Sequence, residues 1–214
     1  MTLDRYSMLQ PDVWQLVHER QRAILQGLAA RGWHDLAALR LAEVGCGAGG
    51  NLLDLLRMGF VAEHLIGADI DPRRLAIARA RLPAAVALWG GDAADAPVDP
   101  ASQDIVLQAT VFSSLLHDGD QARLADAMWR WLKPGGVVLW YDFTVDNPAN
   151  RAVRGVPLAR LRQLFPAGRV QHQRITLAPP IARRVARLHP SLYTVFNALP
   201  PLRTHLLAWI TKPT

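Results

Sequence analysis

Two carboxylates around a glycine-rich turn carry the first chemistry legible in this sequence. Residues 41–50 read Leu-Ala-Glu-Val-Gly-Cys-Gly-Ala-Gly-Gly, and residues 66–72 read Ile-Gly-Ala-Asp-Ile-Asp-Pro. An apolar strand runs into a glycine turn, a helix follows, and a second strand ends in an acid. Glycine lets backbone approach a ligand where a Cβ would collide, and the acid can take both hydroxyls of a ribose. The pairing predicts an adenosine-type cofactor. Gly45, Gly47 and Gly50 also satisfy the dinucleotide spacing G-x-G-x-x-G, a weak signal by itself.

Three further features discriminate between cofactors. Glu43, near the strand end, would repel a pyrophosphate but suits a ligand with an amino group and a sulfonium. Residues 86–89 read as a third strand followed by Gly-Gly-Asp-Ala, which sets Asp92 where an adenine amino group could be held, with Ala93 beside it. Trp-Leu-Lys-Pro-Gly-Gly at 131–136 reads as a helix end and tight turn before another strand. With these landmarks the chain resembles the class I S-adenosylmethionine-dependent methyltransferases, whose ordered motifs stand here at residues 43–49, 67–69, 91–92 and 132–136. The resemblance is strong over about residues 38–145 and weak beyond. It implies S-adenosylmethionine as cofactor, with Glu43, Gly45, Cys46, Gly47 and Gly49 along its methionine end, Asp69 on the ribose, Ile70 on the adenine face, Asp92 and Ala93 at the adenine edge, and Gln108 close by. Asp71 competes with Asp69 for the ribose, but it precedes Pro72 and reads as a helix N-cap.

Methyl transfer from a sulfonium is an in-line displacement, so alignment and proximity contribute most. A hydroxyl acceptor also needs a base within hydrogen-bond reach. His117, Asp142 and His172 are the candidates, with His117 and Asp142 on the segments that follow the fourth and fifth strands. Each has a plain structural alternative: helix capping for His117, backbone acceptance for Asp142, exposure for His172. After Asp142 comes a polar stretch in which Asn147, Asn150, Arg151 and Arg154 offer partners for sugar hydroxyls and phosphate. An ordinary loop around an Asn-Pro turn reads the same residues equally well. This stretch resembles uncharacterised methyltransferases associated with bacterial polysaccharide gene clusters, which implies a glycan acceptor.

Charge is divided along the chain. Residues 1–150 hold all 18 acidic and 13 basic residues, while residues 151–214 hold 11 basic and no acidic ones. Such a field attracts phosphates, nucleic acid or anionic lipid. A single cysteine, Cys46, excludes a disulfide framework and reads as a small residue packed in the glycine turn. It also leaves no nucleophile for 5-methylcytosine chemistry. The fourth strand ends Leu-Gln-Ala-Thr-Val-Phe, without the Asn/Asp-Pro-Pro-aromatic clamp used on exocyclic amino groups of bases. Nucleic acid is therefore the weaker partner class. No secretory pattern or bilayer-length apolar run is present, and no metal-ligand spacing stands out, so cytoplasmic, metal-independent chemistry is expected. Peripheral contact with the inner membrane through the basic third remains open beside it.

Helical periodicity predicts an N-terminal helix over about 11–31 and helices at 50–58, 72–82, 119–132 and 158–165. Strands are expected at 39–44, 65–70, 86–89, 104–109, 137–143, 170–177 and, briefly, 208–211. Alternation of this kind predicts an α/β fold: a Rossmann-like doubly wound sheet of about seven strands, mostly parallel, with helices on both faces. The resemblance adds an antiparallel last strand. Residues 1–214 read as a single domain, with a basic helical insertion at about 178–203, split at His189-Pro190, before the final strand. The resulting expectation is O-methylation of an anionic small molecule or glycan, such as a sugar nucleotide or lipid-linked saccharide. RNA, or a lipid or quinone head group, is the alternative acceptor.

Overall fold

The computed structural model describes residues 7–146 and 150–214 and contains one seven-stranded sheet. Its strands are β1 (Leu41–Val44), β2 (Leu65–Asp69), β3 (Ala87–Gly90), β4 (Gln103–Ala109), β5 (Leu132–Phe143), β6 (Arg169–Leu177) and β7 (Arg203–Thr211). The order across the sheet is β3-β2-β1-β4-β5-β7-β6. β1 to β5 pair in parallel, and β7 runs antiparallel to both β5 and β6. The fold class, including the antiparallel last strand, is as expected.

The helices are α1 (Pro11–Ala29), α2 (Gly50–Met58), α3 (Pro72–Arg81), α4 (Asp118–Trp131), α5 (Leu158–Leu164), α6 (Pro179–Leu188) and α7 (Pro190–Asn197). Side chains alternate between two cores, as strands buried on both faces require. On one face Leu41, Leu139 and Leu207 meet Ile24 and Leu28 of α1, Leu52 and Leu55 of α2, and Leu75 of α3. On the other, Ala42, Val106 and Trp140 meet Leu124, Met128 and Trp131 of α4 and Leu161 of α5. α1 lies tight on β7 because Gly27 leaves room there: a Cβ would stand 2.4 Å from the Trp209 ring.

Two strands start five residues earlier than in the sequence reading. β5 starts at Leu132, with the Lys133–Gly136 turn absorbed as an irregularity opposite β4. β7 starts at Arg203 and spans nine residues. Its polar opening conceals it: Thr204 accepts at its carbonyl from Thr144 N, and His205 is buried, stacked 4.9 Å from Tyr141. Helices α6 and α7 lie between β6 and β7, and both pack on α1.

Candidate active site

The chain winds outward from β1 to β3 and returns to β4, so the strand order reverses between β1 and β4. Ligands of open α/β sheets sit beyond the carboxyl ends at such a point. Val44 is in register with Ala68 of β2 and Gln108 of β4, which brings three strand ends level. Gly45, Gly47 and Gly49 follow, all at positive φ (68°, 54° and 80°). At Gly45 a Cβ would stand 2.3 Å from the Val111 side chain, so the first glycine also lets the loops after β1 and β4 close together. Cys46 is buried, and burial, then Glu43 and Asp69, push its thiol up to about 12; it packs as an inert small group.

Glu43 is 1% exposed. Its Oε1 accepts from Asn51 Nδ2 at 2.5 Å, whereas Oε2 is buried with no partner among the described residues. Burial pushes the carboxyl up to about 7, against the lowering by Asn51 and Arg20. Asp69 is buried; its two oxygens accept from Gly47 N at 2.7 Å and Asp71 N at 2.8 Å, clasping the glycine turn to the end of β2. Asp71 is the N-cap of α3, accepting from Arg73 N and Arg74 N. Ile70 stands 76% exposed at the crevice. Asp92 caps the turn that contains half-buried Ala93, accepts from Ala94 N, and is ion-paired with Arg123. An adenine amino group would share Asp92 with that arginine.

The acceptor side is built differently from the sequence reading. Gln108 is fully buried; its Oε1 accepts from Val111 N and its Nε2 donates to Tyr141 O, so it shapes the turn after β4. Thr110 in that turn adopts φ 60°, a conformation costly for a β-branched residue. Asp142 is 0% exposed, and its oxygens accept from Ser113 N and Phe143 N. Burial pushes it up to about 6 despite those bonds. It anchors the loop after β4 from beneath. His117, by contrast, is exposed at the N-cap position of α4 with no side-chain capping bond.

Of the polar stretch, Asn147 lies outside the described residues. Asn150 is spent on an Asx turn to Ala152 N, and Arg151 is exposed. Arg154 pairs with Asp118 at 2.5 Å, and Arg160 stands 3.7 Å from the same carboxyl oxygen. Those contacts, Arg154 first, hold Asp118 below its ordinary value. These groups, with Gln121, Thr144, Asp146 and Gly155, line an open cleft of about 370 Å3 beside the end of β5.

Arg20 and Glu19 of α1 escaped the sequence reading. Arg20 donates to Asn51 Oδ1 at 2.6 Å, extending the chain that ends on Glu43, and lies 5.1 Å from the centre of the Tyr141 ring. With Asn51, Ala109, Tyr141 and Leu207 it lines a hollow of about 20 Å3, room for about one water molecule. Glu19 accepts from Thr176 N, Tyr193 OH and Asn197 Nδ2. Burial, then Arg20, depress the neighbouring His205 to about 4, keeping it neutral. The only local signal was two adjacent charges within an amphipathic helix, which ordinarily mean a solvated edge.

Comparison with known proteins adds the missing term. Residues 41–136 match the family model described as a methyltransferase domain. Over that stretch the chain is similar to methyltransferase domains. The chain is similar to a Mycolicibacterium smegmatis protein named "Probable S-adenosylmethionine-dependent methyltransferase", with 37% identity over 120 residues, 56% of this chain and 42% of the relative. It is 32% identical over 143 residues to a trans-aconitate 2-methyltransferase of Variovorax paradoxus, covering 66% of this chain and 53% of that protein. The chain thus spans about half the length of the curated relatives it matches. A solved S-adenosylmethionine-dependent methyltransferase from Archaeoglobus fulgidus shares the fold at 13% identity, with a TM-score of 0.64 over 98% of this chain and 100% of that one.

The residues of the matched stretch fit S-adenosylmethionine. The orphaned Glu43 Oε2 is a buried acceptor suited to an ammonium group, a Cβ at Gly47 would meet nothing nearer than Arg74 at 3.9 Å, and exposed Ile70 could offer an apolar face to an adenine. Asp69 lies at the end of β2, its oxygens accepting from Gly47 N and Asp71 N. When bound, the cofactor supplies an electrophilic methyl group on a sulfonium. Glu43 orients through Asn51 and Arg20, while Gln108 and Asp142 hold the facing turn. Among the described residues no group of three or more His, Cys, Asp or Glu could hold a metal ion.

Proposed function

We propose that the chain methylates an oxygen of an anionic small molecule or glycan, of the class of a sugar nucleotide or lipid-linked saccharide. The observation that carries this reading is the cleft beside β5, where Arg154 and Arg160 converge on the exposed carboxyl of Asp118, while Asp146 on the same wall accepts from Gly155 N. Its volume is in the range of small-molecule sites. Asp118 acts there as a placeholder: an incoming phosphate or carboxylate, accepting bidentately from arginine, exchanges for it. The relative named for trans-aconitate, a small carboxylate, supports an anionic acceptor of this size. A bacterial, cytoplasmic setting and a link to polysaccharide synthesis belong to the same proposal.

For a hydroxyl acceptor, His117 is the general base, being adjacent to Asp118 and free of capping bonds. Replacing His117 with glutamine then lowers kcat by about a hundredfold or more and leaves KM nearly unchanged. A carboxylate acceptor arrives deprotonated and would leave that variant active. The defining experiment incubates the protein and S-adenosylmethionine carrying a labelled methyl group with sugar nucleotides, lipid-extracted glycans, small carboxylates and RNA. Label in an anionic small molecule or glycan, lost in Arg154→Gln with Arg160→Gln, is the expected result. Label in RNA alone sinks the reading.

A further inference from the structure

The insertion between β6 and β7 presents a surface that the methyl-transfer chemistry does not use. Leu188 ends α6 at 78% exposure, and Val195 of α7 and Leu199 just beyond it stand 62% and 54% exposed. Residues 188–202 contain no Asp, Glu, Lys or Arg. Trp14 of α1, 47% exposed, borders this corner, since its neighbour Gln15 donates to Pro190 O. Beside the apolar residues, α6 carries Arg183, Arg184 and Arg187, none of which forms an ion pair among the described residues. The whole segment 151–214 offers no acid to neutralise them.

The packing of this corner is specific. Ala182, Val185 and Tyr193 turn inward, and Glu19 of α1 takes the hydroxyl of Tyr193 and the amide of Asn197. The buried faces of α6 and α7 are therefore already satisfied, and the exposed leucines and valine are surplus to the core. No helix among the described residues is long and apolar enough to cross a membrane. Apolar side chains standing proud of a short helix pair, flanked by unpaired arginines, match the composition of helices that lie in a lipid interface. Arginine is drawn there by anionic headgroups, and tryptophan favours that depth.

We propose that the α6–α7 corner docks the protein on a membrane surface carrying anionic lipid. Leu188, Val195 and Leu199 enter the acyl boundary, and Arg184 and Arg187 hold headgroup phosphates. Glu19 of α1 is bonded to this corner, and Arg20 next to it in sequence reaches Asn51, whose amide holds Glu43. Docking itself does not depend on the acceptor proposed above.

The test is co-sedimentation of the whole chain with vesicles of phosphatidylcholine alone or mixed with phosphatidylglycerol. Two variants accompany it: Leu188→Ser/Val195→Ser/Leu199→Ser and Arg184→Gln/Arg187→Gln. The wild type is expected to sediment with the anionic vesicles only. The arginine variant should lose about thirtyfold in partitioning, and the serine variant at least about tenfold. Both should bind S-adenosylhomocysteine as the wild type does, which shows that they fold. A wild type that stays in solution with both vesicle types overturns the proposal. Binding undiminished by the serine substitutions overturns it too, as nonspecific charge. So does a wild-type dimer that the serine variant converts to monomer, which would make the patch a self-interface.

Discussion

Glu43 is a buried carboxyl that costs the free protein stability. Its folded pKa of about 7 lies above the ordinary glutamate value because the carboxylate is buried. The sign follows: its contribution to stability is complete below the ordinary value and is lost as pH rises through about 7. Glu43→Gln should therefore stabilise the cofactor-free protein at pH 8, by about 1–3 kcal/mol, and flatten the dependence of the melting temperature between pH 5 and 8. The same variant should bind S-adenosylhomocysteine about tenfold or more weakly, having lost the charge that awaits an ammonium. Urea melts across pH and calorimetric titration check the two halves separately. Glu43, Asp69 and the glycines were legible in the sequence because a strand–turn–helix positions them locally. Asp142 and Gln108 were legible as polar residues at strand ends, but their burial under the loop after β4 was not.

At the scale of elements, α1 joins the basic insertion to the sheet. The carboxylate of Glu19 collects donors from β6 and α7, among them the amide of Thr176, whose φ of 68° needs outside support. Glu19→Ala should cost about 2–3 kcal/mol in urea unfolding, since three donors lose a charged acceptor in a half-buried setting. Amide exchange should quicken over residues 179–197 and stay slow over 41–136. An unchanged exchange pattern would show that α6 and α7 hold by apolar packing alone. Most boundaries of these elements followed from periodicity and capping: α2 matches its expected span, and α3 starts at Pro72 behind its Asp71 cap. β7 did not, because Arg203, Thr204 and His205 read as loop until β5 and β6 pair with them on both sides.

Across the whole molecule, ligand and fold are linked through a crevice made by strands distant in sequence. A ligand bound only by the folded state at a hundred times its Kd adds about 2.7 kcal/mol, which should raise the melting temperature by roughly 5–10 °C. S-adenosylhomocysteine should do this and NADH should not; the reverse result would make the glycine turn a dinucleotide site. The sequence by itself determined the α/β alternation, the glycine turn and the acids at the ends of β1 and β2, since each depends on neighbours a few residues apart. Tertiary structure alone decided that Arg20 reaches Asn51, that Asp92 is paired with Arg123, that Asp142 is sealed beneath a loop and that Arg154 and Arg160 share Asp118. Those partners lie 29 to 42 residues apart where they bond, and burial and pairing at that range arise only when the sheet and both helical layers close together.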